Sequence, residues 1–404
     1  MKFKKNRLIS FIAAAALLLS GCSAAETGTA STESGAGLTA EALAAGTEAS
    51  SEAALQSSSD EENESVEISY ATMFSVSDYE GCYLVDIRNE GQYLVVPEGQ
   101  ETPGDVPEGC TVIRQPLSHV YMASTPAMDL VDAAGGLDQV SFSCLQADDW
   151  YVADAKEKME NGSILYAGKY SKPDYEMLLS GGCDLAIENT MIYHSPQIKE
   201  KLEELGIPVL VERSSYENSP LGRLEWVKLY GILFGKEAEA DAFFRQEEQK
   251  ISALGTSGTT GKTVAFFSVT STGSVTVHKP GGYMAQMIED AGGVYVPGSL
   301  PQTSEDGSAL STFHMQMEDF YDAAKDCDVL IYNSAIEGEV ESVDDLIAKD
   351  AVFADFAAVK NGQVYCTDAD FFQCVTKSCD FILDVNNILT QDDPGELLTM
   401  EKIS

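Results

Sequence analysis

Basic residues are scarce. Only 25 Lys and Arg stand against 65 Asp and Glu in 404 residues, a formal net charge of −40. A surface of that sign repels phosphate backbones, which excludes nucleic acid as a partner and makes an anionic bilayer unattractive. Any membrane attachment must then be covalent or hydrophobic. Histidines are few, and His119, His194, His278 and His314 form neither an HxxxH nor an HExxH pattern; no metal ligand set is expected. No CxxC occurs, which removes zinc ribbons and redox pairs. A GxSxG elbow and a paired-carboxylate motif are missing as well, so a hydrolase on this chain would lack an evident nucleophile and base. The longest apolar run is short of the ~20 residues that a membrane helix needs.

What is present begins with an address. Lys2, Lys4, Lys5 and Arg7 precede an apolar stretch from Leu8 to Leu19, followed by Ser20-Gly21-Cys22. This reads as an export signal over residues 1–21, and Leu-Ser-Gly-Cys resembles the bacterial lipobox, whose cysteine becomes the lipidated N-terminus. Residues 22–65 are dominated by Ala, Ser, Thr, Gly and Glu and contain no aromatic residue. They bury too little to offset the entropy of ordering and are expected to form a disordered tether with a mean reach of roughly 35–40 Å. The expected location is extracytoplasmic, anchored to the bacterial cell membrane through Cys22. Eight further cysteines in an exported chain imply either some disulfides or a reducing niche; Cys183, Cys327 and Cys366, in apolar runs, read as small buried hydrophobes.

From Val66 strand and helix patterns alternate, the mark of an α/β fold. Residues 79–96 are expected to form a β-hairpin turning at Asn89-Glu90-Gly91. Thr125-Pro126 opens a helix that Gly135-Gly136 stops. The series then returns. Met128 leads through Asp132-Ala133-Ala134 to Gly135-Gly136, and Met284 leads through Asp290-Ala291 to Gly292-Gly293. Cys183-Asp184-Leu185-Ala186-Ile187-Glu188-Asn189 is matched by Cys327-Asp328-Val329-Leu330-Ile331-Tyr332-Asn333, each after a short helix carrying a glutamate, Glu176 or Glu318. Shared features in shared order predict two similar lobes, each with a central, mostly parallel sheet. The boundaries are residues 66–235 and 255–404. Between them Leu221 to Leu254 is the longest helical pattern, broken near Gly235. Residues 236–254, without Pro or Gly, are the linker helix.

These residues resemble the class III solute-binding lipoproteins of ABC importers, a family that captures iron-siderophores, haem or cobalamin. The likeness rests on Pro173-Asp174-Tyr175-Glu176 with Cys183 to Ile187, on Gly206-Ile207-Pro208-Val209 and Pro220 to Trp226 through Gly235-Lys236-Glu237, and on Gly282-Tyr283-Met284 to Gly293 with Glu318 to Ile331. It implies two α/β lobes joined by one long backbone helix, with an iron chelate, haem or corrinoid held in a cleft between them and no resident cofactor. It also implies that Glu176 and Glu318 dock onto basic pockets of a dimeric ABC permease served by an ATPase. A monomer without enzymatic activity is expected.

In open α/β sheets ligands sit beyond the carboxyl ends of the strands. That rule selects His119 and Tyr121, then Trp150, then Tyr166, Lys169 and Tyr170. It next selects Glu188, Asn189 and His194, and then Tyr216. In the second lobe it selects Tyr283, Asn333, Phe371, Phe372 and Gln373. Aromatic loops suit a macrocycle or chelate. Basic residues in these loops are limited to Lys169, Arg213 and Lys279, which favours a neutral, cationic or corrinoid-like ligand over a triscatecholate. Gly255 to Thr263 imitates a phosphate loop, but Thr256 stands where the pattern needs glycine, and a helix rather than a strand precedes it. The rival readings are a surface-anchored sensor or binding module uncoupled from transport, and an α/β surface hydrolase.

Overall fold

The computed structural model describes residues 66–254, 258–298 and 312–404; the expected leader, tether and lipidation site Cys22 lie outside them. Strands β1 (Phe74–Tyr79), β2 (Cys82–Ile87) and β3 (Gly91–Val96) form an antiparallel meander, and β4 (Thr111–Arg114) joins β3 in parallel. The expected hairpin is the β2–β3 pair, turned by Asn89 at φ 67°. Tyr79 instead ends β1, because Glu80 and Gly81, at φ 53° and 78°, reverse the chain before β2.

The first α/β half runs β5 (Val120–Met122), α1 (Thr125–Ala133), β6 (Val140–Ser143), α2 (Ala153–Glu160) and β7 (Leu165–Tyr166). It continues through the small ribbon β8 (Gly168–Lys169) and β9 (Lys172–Pro173), then α3 (Tyr175–Ser180), β10 (Leu185–Asn189), α4 (Pro196–Glu204) and β11 (Val209–Glu212). Its sheet, β11-β10-β5-β6-β7, is parallel throughout. Helices α5 (Pro220–Leu224), α6 (Trp226–Phe234) and α7 (Glu237–Leu254) lead to the second half. That half comprises β12 (Thr263–Val269), β13 (Val275–His278), α8 (Tyr283–Asp290), β14 (Val294–Val296), β15 (Thr312–Met315) and α9 (Met317–Ala324). It closes with β16 (Val329–Tyr332), α10 (Ser334–Glu337), α11 (Val343–Lys349), α12 (Ala357–Lys360), β17 (Val364–Thr367), α13 (Ser378–Thr390) and β18 (Met400–Lys402). Parallel β17, β16, β12 and β14 repeat the order β11, β10, β5 and β6. Strands β13, β15 and β18 are antiparallel additions.

The repetition extends to single hydrogen bonds. Asp184, just before β10, accepts from the Ser118 and His119 amides at the start of β5. Asp328, just before β16, accepts from the Thr263 amide and hydroxyl at the start of β12. Asn189 and Asn333, at the far ends of the same two strands, each cap the amide two residues on. A carboxylate that satisfies a neighbouring strand's first amide is a strong, charge-assisted contact, and it fixes the register of each central strand pair.

The long helical pattern is divided. Helix α6 is buried along its whole length; Gly235, at φ 64°, ends it in the left-handed conformation that glycine adopts at no steric cost. The chain folds back so closely that a side chain at Gly231 would place its Cβ 2.6 Å from the Ala240 Cβ. Helix α7, 18 residues and hence ~27 Å long, then crosses to the second half, where Lys250 pairs with Asp380 of α13 at 2.7 Å. Entry to the fold is clamped. The Glu225 carboxylate accepts from the amides of Ser69, Tyr70 and Ala71 and from Lys228. Glu217 accepts from the amides of Thr72 and Met73 and from the Trp226 indole.

The two halves also touch directly. Asp129 of α1 accepts from the Thr376 amide and hydroxyl. Cys374, Val375 and Cys379 share one apolar core with α1 and α6. Among the described residues all eight cysteines are free thiols. Burial pushes the Cys144, Cys183, Cys327 and Cys379 thiols up to about 12, so they stay neutral.

Candidate functional site

The carboxyl ends of the second sheet enclose a cavity of ≈ 90 Å³. Its walls follow from the chain path. Segment 270–282, between β12 and α8, is long enough to return as β13, which pairs with the carboxyl half of β12 from Phe267 to Val269. That pairing brings Thr276 and His278 over the sheet edge, opposite Asn333 at the end of β16 and Ser268 at the end of β12. Helix α8 supplies Tyr283, and the loop after β17 supplies Phe371 and the half-exposed Phe372. The rings form a chain: His278 lies edge-on to both Phe266 (5.5 Å) and Tyr283 (5.6 Å), and Phe266 lies 6.1 Å from Phe371. Burial, and secondarily the Arg223 charge, hold His278 down at about 4; it is a neutral imidazole at physiological pH.

A smaller void of ≈ 10 Å³ adjoins this cavity, sharing Tyr283, Phe371 and Phe372 with it. Arg223 of α5 closes the far side, its guanidinium carbon 4.3 Å from the centre of the Tyr283 ring. The site is thus built mainly by the second half, with one wall from a helix that precedes the linker.

Four expected ligand residues meet here: Tyr283, Asn333, Phe371 and Phe372. The others fall elsewhere. His119 was expected beyond the carboxyl end of a strand but stands at the amino end of β5, bonded to Ser141, because β5 begins only at Val120. Tyr121 is fully buried within β5 and donates to the Gly168 carbonyl. Trp150 is buried beneath its own loop, its indole N–H on the Ser143 hydroxyl. Tyr166 and Lys169 are exposed, and Tyr170 packs on the first half's outer core. His194 is exposed, whereas Tyr216 donates to Thr190 and lies 4.0 Å beneath the Arg213 guanidinium. Gln373 lines no part of the cavity: its amide accepts from the Tyr151 N–H and donates to the Asp149 carbonyl, both at 2.9 Å, stapling the halves together. Glu188 is fully buried with neither carboxylate oxygen bonded, and burial alone raises its carboxyl to about 8.

Sequence reasoning missed His278 and Arg223. The first sits on the unforeseen strand β13. The second lies in a helix, where a rule based on strand ends does not look, although the segment Pro220 to Trp226 stood out for its resemblance.

The alternating strands and helices, the repeated order of the two sheets and an aromatic cavity beyond strand ends fit the class of solute-binding folds. The comparisons agree with that class. The family model described as periplasmic binding protein matches residues 143–371, more than half of the sequence, and the chain belongs to this family. An uncharacterized lipoprotein of Methanocaldococcus jannaschii is 28% identical over 69% of this chain and 66% of its own length, just under two thirds of that relative. A second uncharacterized lipoprotein of the same organism is 24% identical over 72% of this chain and 73% of its own. Among solved structures, the periplasmic haem-binding protein of Vibrio cholerae aligns with a TM-score of 0.56 at 16% identity, over 68% of this chain and all of that one. A petrobactin-binding protein of Bacillus subtilis aligns at 0.52 and 16%, over 70% and 94%. At these identities the structural likeness shows the fold.

Proposed function

We propose that this chain is a lipid-anchored, extracytoplasmic solute-binding protein that captures an iron chelate, haem or corrinoid and delivers it to an ABC importer. The carrying observation is the aromatic cavity at the carboxyl ends of the second sheet, in a member of a binding-protein family. Structural neighbours named for haem and petrobactin supply the ligand class, and the relatives named lipoproteins support an anchor at Cys22. The cavity is smaller than the ~300 Å³ or more of a typical ligand pocket, so it holds one edge of such a solute, with the rest extending past Phe372. Native mass spectrometry against haem, ferric siderophores and corrinoids tests the reading. One bound equivalent of one class is expected; no binding of any class overturns it.

Delivery rests on Glu176 and Glu318. Both are exposed in the first turn of a short helix, α3 and α9, and neither forms an ion pair among the described residues. Glu318 also borders a surface groove with Tyr321, Asp322 and Asp350, an acidic seat for a basic side chain. The double variant Glu176→Arg with Glu318→Arg is expected to abolish uptake of the bound solute in cells while leaving binding intact. Normal uptake would remove the docking role.

A further inference from the structure

Among the described residues the Arg223 guanidinium has no counter-charge. Its residue is only 7% exposed, yet among the described residues it forms no ion pair and no hydrogen bond, and its Nε is sealed from solvent without an acceptor. It lies over the face of the Tyr283 ring, its guanidinium carbon 4.3 Å from the ring centre. A cation–π contact of this kind recovers only part of the hydration that a buried cation gives up. In a chain with 65 acidic residues, an unpaired buried arginine beside a cavity is a conspicuous exception.

The nearby polar groups do not fill the role. His278 is neutral, and Ser268, Thr276 and Asn333 bring no charge. Among the described residues no aspartate or glutamate lines either void. The walls otherwise offer flat apolar faces: Phe266, Phe371 and Phe372. We propose that Arg223 is the counter-ion of the bound solute, and that the two adjoining voids together take a monoanionic carboxylate, with a carboxylate oxygen in the small void against Arg223 and a flat apolar body in the larger one against these three rings. A guanidinium fork matches a carboxylate in geometry. One cation matches one negative charge, whereas a phosphate monoester or triscatecholate would remain under-neutralised inside so acidic a protein. The assignment rests on the solute-binding reading and narrows it to carboxylate-bearing ligands, away from the neutral or cationic solutes that the loop composition favoured.

The test uses benzoate and benzamide, a flat anion and its neutral isostere, titrated calorimetrically into the full chain. A hydrogen bond to a charged group is worth about tenfold or more in affinity, so benzoate is expected to bind at least about tenfold tighter than benzamide. Arg223→Gln is expected to bring that ratio close to one, and Arg223→Lys to retain part of it. Equal affinities in the unaltered protein overturn the proposal without any variant, and so does an unchanged preference in Arg223→Gln. The two readings fail separately. Bound haem or ferric siderophore with no benzoate preference sinks the carboxylate assignment alone. A benzoate preference with no chelate or macrocycle bound sinks the cargo reading alone.

Discussion

The two sheets share a topology and differ at one end. At their amino ends Asp184 and Asp328 each accept from a backbone amide at the start of the neighbouring strand, and Cys183 and Cys327 each place a thiol 3.5 Å from the carbonyl two residues on. At their carboxyl ends the resemblance is limited to the capping asparagines Asn189 and Asn333. In the first sheet, Glu188 apart, charged groups are tied to one another: Ser124 donates to Glu212, which also takes the Ser214 amide, and Arg213 pairs with Glu90 at 2.8 Å. Glu90 comes from the β2–β3 turn and also accepts from Tyr193. In the second sheet, segment 270–282 adds β13, β14 pairs with the amino half of β12, and a cavity remains beside Arg223, which is unpaired among the described residues. A duplicated scaffold keeps the end that sets strand register and varies the end where ligands sit. One copy closes its carboxyl end with its own side chains, and the other leaves its end open.

The largest effect is expected where the closed end is cut. The side chains of Arg213 and Glu90 are 10% and 1% exposed, and removing one partner of a buried pair leaves the other as an uncompensated charge. Arg213→Met is therefore expected to destabilise the fold by ~3 kcal/mol, read as a lower urea midpoint at unchanged slope. A loss below the error of the titration would mean that the first sheet is not closed by this pair.

Glu188 sharpens the comparison at the same end. It occupies the place that Tyr332 holds in the second half, within a core and without a partner. Its carboxyl titrates near 8 in the folded protein against an ordinary value of 4.5, because burial disfavours the anion. The folded state thus binds the extra proton between those values, and stability falls as pH rises from 4.5 to 8, then levels. Glu188→Met is expected to remove this decline and to raise stability at pH 9 by about 2 kcal/mol. Urea titrations at pH 5, 7 and 9 read both effects. A decline that persists in the variant would show that other groups cause it.

Legibility followed the same division. The amino-end devices are local: a Cys-Asp pair before an apolar run, at fixed distance from an asparagine, is visible in both halves and carries the duplication. Asn333 was reachable because it follows β16 directly, and Phe371 and Phe372 because they lie in the loop after β17; Tyr283 comes five residues after the end of β13. His119 failed because the strand beside it, β5, begins after it at Val120 and not before it, a start set by pairing with β10 and by Asp184. Tyr121 and Trp150 were drawn to the site by their chemistry, whereas their polar tips are satisfied inside the first half. Gln373 and Arg223 act across the meeting of the two halves, a long-range contact that no local spacing encodes.

The smallest effect is expected at the open end, and it separates the two arginines. Arg213 and Arg223 are equally buried at 8% and 7% exposure, and each lies over a tyrosine ring, Tyr216 at 4.0 Å and Tyr283 at 4.3 Å. They differ in having or lacking a carboxylate. Arg223→Met deletes a charge that no carboxylate among the described residues compensates, and the methionine still packs against Tyr283. The variant is therefore expected to change stability by less than about 1 kcal/mol, because relief of desolvation offsets the missing cation–π attraction. Paired urea titrations of the two Met variants measure the contrast. A destabilisation by Arg223→Met as large as that by Arg213→Met would mean that Arg223 serves the fold, and that both ends of the duplication are closed.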